Sequence, residues 1–181
     1  MKTALLVIDV QRGLFDAEPR PYDADAVVAR INALSERARY AGAAVIFVQH
    51  EELESGLVFG TKAWQLEKNL MVEEGDVILR KTTPDSFQRT ELLELLLVRG
   101  IEQLLVCGYA SEFCVDTTTR RAAALGFPVI LVADAHTTHD KAHAPASTIV
   151  QHHNATLSSI RSFGPVIRAV VSEQIVFDVT V

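Results

Sequence analysis

Cysteine is scarce in this chain: there are two, Cys107 and Cys114, in 181 residues. They are not spaced C-x-x-C, and no paired cysteine or histidine ligand pattern accompanies them. That argues against a disulfide framework and against a structural zinc site, and it predicts reduced thiols in a cytoplasmic protein. Positive charge is also in deficit. Lys and Arg total 17 against 23 Asp and Glu, a net charge of −6 at pH 7. With no run of Lys and Arg, nucleic acid is not expected as a partner. No apolar stretch approaches the length of a membrane span, so no membrane partner is expected. The apolar start is cut short by Asp9 and Arg12, which leaves too little for a secretion-signal core. Repeats, low-complexity tracts and linkers are missing as well. The expectation is a single domain over residues 1–181.

What the chain has is apolar residue, 49% of the total, in short runs divided by helical patterns. Thr3 to Ile8, Ala44 to Val48, Val77 to Leu79, Leu104 to Cys107, Val129 to Val132 and Val166 to Val171 read as strands buried on both faces. Between them lie helices. One is capped by Asp23 or Asp25, carries Val27, Ile31, Leu34 and Ala38 on one face, and stops at Gly42. A second runs from the Thr90 cap through Val98. A third runs from the Ser111 cap to Leu125. A fourth starts at Pro145 and is ended by Gly164 and Pro165. Alternating strand and helix implies crossover units, a parallel sheet and helices on both faces: a three-layer α/β/α fold.

Three polar side chains fall at or just past the carboxyl ends of strands, where open α/β sheets carry their chemistry: Asp9, Lys81 and Cys114. Alone, Asp9 is as readily a turn-capping residue, and a lysine is ordinarily solvated. Together the three are complementary. With Ser111 as cap, Cys114 falls near the third helical position, where free N–H groups and the helix dipole favour a thiolate. Lys81 would favour it further, and Asp9 could take the thiol proton. Turn N–H groups before Cys114 could hold an oxyanion.

Leu6-Val7-Ile8-Asp9-Val10-Gln11, Lys81-Thr82-Thr83-Pro84-Asp85-Ser86-Phe87 and Cys107-Gly108-Tyr109-Ala110-Ser111-Glu112-Phe113-Cys114-Val115 resemble the three motif regions of the isochorismatase-like cysteine hydrolases. The resemblance covers nearly the whole chain, including the His152-His153-Asn154 stretch of the last helix. It implies a doubly wound six-stranded parallel sheet of order 3-2-1-4-5-6 and an Asp9-Lys81-Cys114 triad. It also implies a cis peptide between Tyr109 and Ala110, aiming the Ala110 N–H with that of Cys114 at the oxyanion. Isochorismatases proper resemble the chain but hold a small inert residue at the cysteine position, so Cys114 favours the thiol branch. Nicotinamidases of that branch bind a metal through Asp-x-His and a second His. Here the region reads Gln49-His50-Glu51-Glu52, so no metal and no cofactor are expected.

The implied activity is hydrolysis of a C–N bond in a small amide, ureide or N-carbamoyl substrate through a thioester. The alternatives are a non-catalytic or thiol-sensing relative and a vinyl ether hydrolase of the isochorismatase type. Candidate pocket walls are Phe15, Trp64, Phe87 and Tyr109, each an equal candidate for packing. Residues 52–74 are expected to be a lid or a subunit contact, in a homo-oligomer of two or more chains. His50, alone at a strand end, reads more readily as a hydrogen-bonded loop residue than as part of a pocket. Asp134 is assigned to a turn, Ser86 to holding the Lys81 loop, and Cys107 to the core. His136, His139 and His143 lie in a polar loop without ligand spacing. One of His152 and His153 is expected to bond in the interior or at a subunit contact.

Overall fold

Alternate residues of the first apolar run point to opposite faces, and both faces are covered. In the computed structural model, which describes residues 1–54 and 56–178, strand β1 (Thr3–Ile8) places Ala4, Leu6 and Ile8 in one core and Leu5 and Val7 in another. Such two-sided burial is why the run carries no polar alternation. After β1 come α1 (Arg12–Phe15), α2 (Ala24–Tyr40), β2 (Ala44–His50), β3 (Val77–Lys81), α3 (Leu92–Val98) and β4 (Gln103–Tyr109). A π turn (Ser111–Val115) leads into α4 (Asp116–Ala124), followed by β5 (Val129–Thr137), α5 (Ala146–Ser159), β6 (Ile167–Val170) and a 3₁₀ turn (Ser172–Gln174).

The strands form one parallel sheet of order β3-β2-β1-β4-β5-β6, the expected topology. Helix α2 covers one face with Val27, Val28, Ile31, Leu34 and Ala38. The other face is covered by Leu92 and Leu96 of α3, Ala122 and Ala123 of α4, and Leu157 of α5. Burying a Leu or Ile side chain stabilises by about 1.5–3 kcal/mol. Strand order reverses between β1 and β4, and their carboxyl ends therefore open a crevice. Gly108 brings these two strands together. It pairs with Ile8 at φ 113, and a Cβ there would overlap the Ile8 carbonyl and lie 2.7 Å from its nitrogen.

Several local readings need correction. Strand β5 runs on to Thr137, past the Val132 end expected from apolar content. Its polar residues have partners inside the fold: Asp134 accepts the Ser172 N–H at 2.7 Å and its hydroxyl at 3.0 Å, fastening the 3₁₀ turn. Asp23 does stand before α2, but at φ 53 and with its carboxylate on Arg30 at 2.9 Å, so it caps no helix N–H. Thr90 precedes α3 and accepts the Leu92 N–H at 3.3 Å. Ser111 is not a cap; it is the first residue of the π turn, and its hydroxyl is committed elsewhere. The last helix ends at Ser159, before Gly164. Among the described residues, no helix is long and apolar enough to cross a membrane.

Candidate active site

The three strand-end residues meet. Lys81 Nζ lies 2.8 Å from Asp9 Oδ2 and 3.3 Å from Cys114 Sγ. Asp9 follows β1 directly in the left-handed region, φ 52, with its own N–H on Val48 O at 2.8 Å. Its side chain and that of Lys81 are 3% and 0% exposed. Pairing this close offsets the desolvation of two charges, and removing either partner from such a pair costs about 3–5 kcal/mol.

His50 is the member the sequence undervalued. It ends β2 beside Lys81, and its Nδ1 lies 3.1 Å from Lys81 Nζ. An ammonium has three donors and no acceptor, so His50 Nδ1 must accept. The imidazole is then neutral with its proton on Nε2, which faces Glu52 at 3.8 Å. Burial first, and then the Lys81 charge, hold His50 below the ordinary histidine range.

Cys114 is half-buried and sits in the π turn, where Phe113 N–H and Val115 N–H both reach Ala110 O. The peptide joining Tyr109 to Ala110 is cis, as the resemblance implied. Contrary to the expectation of a stabilised thiolate, the Cys114 pKa is pushed up to about 12. Burial is the main cause and the Asp9 charge adds to it; Lys81 opposes both without prevailing. At neutral pH Cys114 is therefore a thiol, set beside the Asp9–Lys81 ion pair. Asp9 Oδ1 is buried and has no hydrogen-bond partner among the described residues.

A second buried cluster holds the π turn from behind. Asn154 Nδ2 donates to Ala133 O at 2.9 Å, which turns Asn154 Oδ1 toward His136 Nε2 at 3.0 Å. His136 Nε2 must then carry the proton, and its Nδ1 accepts from the Ser111 hydroxyl at 2.8 Å. Burial lowers the His136 pKa to about 4, in keeping with a neutral ring.

A cleft of about 280 Å³ opens over Cys114. Asp9, His50, Glu52 and Thr82 supply its polar wall, and Leu14, Leu57, Pro84, Tyr109, Ala110 and Phe113 the rest. Of the four expected aromatic walls, Tyr109 alone lines it. Phe15 is fully buried, edge-on to Tyr109. Phe87 stacks on Phe127 in the core, and Trp64 packs against Phe59. Phe113, missed, is the immediate neighbour of Cys114, and that adjacency was the available signal. In the segment after β2, Leu57 lines the cleft, and the buried Gln11 side chain ties Trp64 O and the His50 backbone together.

Ser86 bonds the Thr118 hydroxyl at 2.9 Å and so fastens the Lys81 loop to α4. Cys107 is in the core. The loop histidines part company: His136 joins the cluster above, His139 bonds the Tyr109 hydroxyl at 2.8 Å, and His143 shares a separate pocket with His152 and His153. His153 bonds within its helix, to Ile149 O at 2.8 Å. Among the described residues, no group of three His, Cys, Asp or Glu is arranged to hold a metal ion.

A strand-edge thiol beside a buried carboxylate–ammonium pair, on a 3-2-1-4-5-6 sheet, defines a class, and comparison with known proteins gives it a name. The isochorismatase domain model matches residues 3–169, and the chain belongs to the isochorismatase family of hydrolases. Two streptothricin hydrolases of Streptomyces noursei are 42% and 40% identical to it over 146 and 145 residues, each match covering 78% of this chain. The chain spans only 57% and 52% of their lengths. A crystal structure of an isochorismatase family protein is similar at TM-score 0.85 and 36% identity, over 93% of this chain and 98% of that one. An isochorismatase from Pseudomonas putida gives TM-score 0.87 at 29% identity, over 97% and 90%.

Proposed function

We propose that this chain is a cysteine hydrolase that cleaves the C–N bond of a small amide, ureide or N-carbamoyl compound, with Asp9, Lys81 and Cys114 as its triad. The observation that carries the reading is Lys81 Nζ, held between the Asp9 carboxylate and the Cys114 sulfur with its side chain fully buried. The hydrolytic activity named for the Streptomyces relatives supports it.

Because the thiol rests protonated, attack is coupled to proton transfer. Asp9 takes the Cys114 proton as the sulfur bonds to the amide carbon and the carbonyl pair moves onto oxygen. Lys81 compensates the charge near sulfur, and the Ala110 and Cys114 N–H groups receive the oxyanion. The tetrahedral species expels the nitrogen, which takes the proton from Asp9 and leaves as amine or ammonia. Asp9 then removes a proton from water; the hydroxide adds to the thioester, the C–S bond breaks, and the proton returns to sulfur.

The test is ammonia release across a panel of small amides, ureides and N-carbamoyl compounds. Cys114→Ala should lower turnover by about 10⁴-fold or more while leaving the fold intact. Turnover that survives this substitution would sink the proposal.

A further inference from the structure

The wall of the cleft over Cys114 is divided by strand order. Across the sheet the strands stand β3, β2, β1, β4. Asp9 follows β1, His50 ends β2 with Glu52 just after it, and Thr82 follows β3, so the polar wall rises on one side. The two cleft aromatics, Tyr109 and Phe113, rise on the other, at the end of β4 and in the π turn, with Ala110 between them in sequence. Leu14 and Leu57 add further apolar surface.

The aromatic side offers rings. Tyr109 is held edge-on by Phe15 and His139, at centroid distances of 6.0 and 5.5 Å, and its hydroxyl is tied to His139 Nδ1 at 2.8 Å. Phe113 is 54% exposed beside the nucleophile. Lys141 Nζ stands 5.5 Å from its ring but is paired with Glu112 at 3.3 Å. An open ring at this place gains from any apolar group that takes the place of water on it.

In the proposed reaction the tetrahedral carbon carries sulfur, oxygen, nitrogen and the acyl chain. The oxygen faces the Ala110 and Cys114 N–H groups, and the nitrogen faces Asp9, which protonates it. The remaining direction, that of the acyl chain, falls to Tyr109 and Phe113. We infer, resting on the hydrolase reading above, that the substrate is an amide with a compact apolar acyl group, selected by Phe113 and Tyr109. At about 30 Å³ per non-hydrogen atom, the 280 Å³ cleft holds about nine such atoms, and the amide's own carbon, oxygen and nitrogen leave about six for the chain. Ureides and N-carbamoyl compounds put a second nitrogen against the rings, where it loses its water, and they are poor substrates.

Thiol labelling tests the wall without a known substrate. Cys114 in the intact protein is modified by butyl methanethiosulfonate and by its 2-methoxyethyl isostere. In each case the thiolate displaces methanesulfinate and a mixed disulfide forms. Peptide mapping separates Cys114 from the buried Cys107, and each rate is divided by that for free mercaptoethanol. The butyl reagent should be favoured by about threefold or more. Phe113→Asn should cut that ratio to about half or less, and Phe113→Leu, which keeps an apolar surface, should restore most of it. A smaller wild-type ratio overturns the inference, as does a ratio that Phe113→Asn leaves unchanged. A Cys114 that neither reagent reaches also overturns it.

Ammonia release is read separately on acetamide, butanamide, methoxyacetamide and propylurea. Butanamide should be fastest, ahead even of methoxyacetamide, whose ether oxygen makes its carbonyl the more reactive of that isosteric pair. Any other compound fastest overturns the inference and leaves the hydrolase reading standing. A label that favours butyl, with no turnover of any amide, ureide or N-carbamoyl compound, leaves the preference of the wall standing and overturns the hydrolase reading instead.

Discussion

Two buried polar clusters flank the π turn, and they differ in kind. The cluster of Asp9, Lys81 and His50 is charged, faces the cleft, and leaves Asp9 Oδ1 without a partner among the described residues. The cluster of Ser111, His136 and Asn154 is neutral, and its hydrogen bonds run in one direction to Ala133 O. A buried acceptor left open costs stability, so it persists where something else uses it. A closed neutral chain has nothing to give a substrate, but it fixes the backbone on which the thiol rides. On the function proposed above, the difference separates what reacts from what holds.

The comparison breaks most visibly at Asp9. Asp9→Asn should lower turnover by about 10³-fold or more, since the base is lost. The same change should move the Cys114 alkylation midpoint down, because the carboxylate that raises the thiol pKa is gone and Lys81 remains. An alkylation profile that moves up, or turnover that persists, would contradict the assignment.

The neutral cluster should show itself in stability against pH. The folded protein refuses His136 a proton down to about pH 4, whereas an unfolded chain accepts it near 6.5. Stability from this group is therefore complete above pH 6.5 and is lost as pH falls toward 4, by about 3 kcal/mol. Denaturant unfolding at several pH values measures it, and His136→Gln should flatten that slope.

Ser111→Ala should cost about 1–3 kcal/mol by leaving His136 Nδ1 unpaired. It should leave the pH midpoint of Cys114 alkylation where it was, since no charge changes. A shifted midpoint would merge the two clusters into one.

The smallest effect is expected at His50. His50→Leu removes an acceptor from the Lys81 ammonium and should lower kcat/KM by about tenfold, while His50→Gln, which keeps an acceptor, should recover most of it. Wild-type turnover should also fall on the acid side, below pH 6.5, as His50 is protonated through its lowered pKa and can no longer accept from Lys81. His50→Gln should lack that limb.

Asp9, Lys81 and Cys114 were legible because each ends or follows an apolar run, and sheet topology gathers such ends. His50 was not, because a lone histidine after a strand has the same local pattern whether or not its neighbour strand ends in lysine. That Lys81 lies opposite is a fact of β2–β3 register. Ser111 misled for a related reason. A serine before a helix is normally a cap, and only the distant His136 and Asn154 reassign its hydroxyl. The aromatics failed by facing. Phe15 and Phe87 stand in or beside the motifs but turn into the two cores, and neither a one-turn helix nor a loop carries enough periodicity to tell which way a ring points.

Gly108 sets a dimension. Neighbouring strands stand about 4.8 Å apart, and the missing side chain at this position lets β4 close to that spacing just where Asp9 leaves β1 and the turn toward Cys114 begins. The gap between acid and sulfur is thus gauged by main chain, while the side chains of Leu14, Leu57 and Phe113 hang around it as cleft wall. New specificities can be tried by refitting the walls, and the gauge stays true so long as nothing is wedged between the two strands.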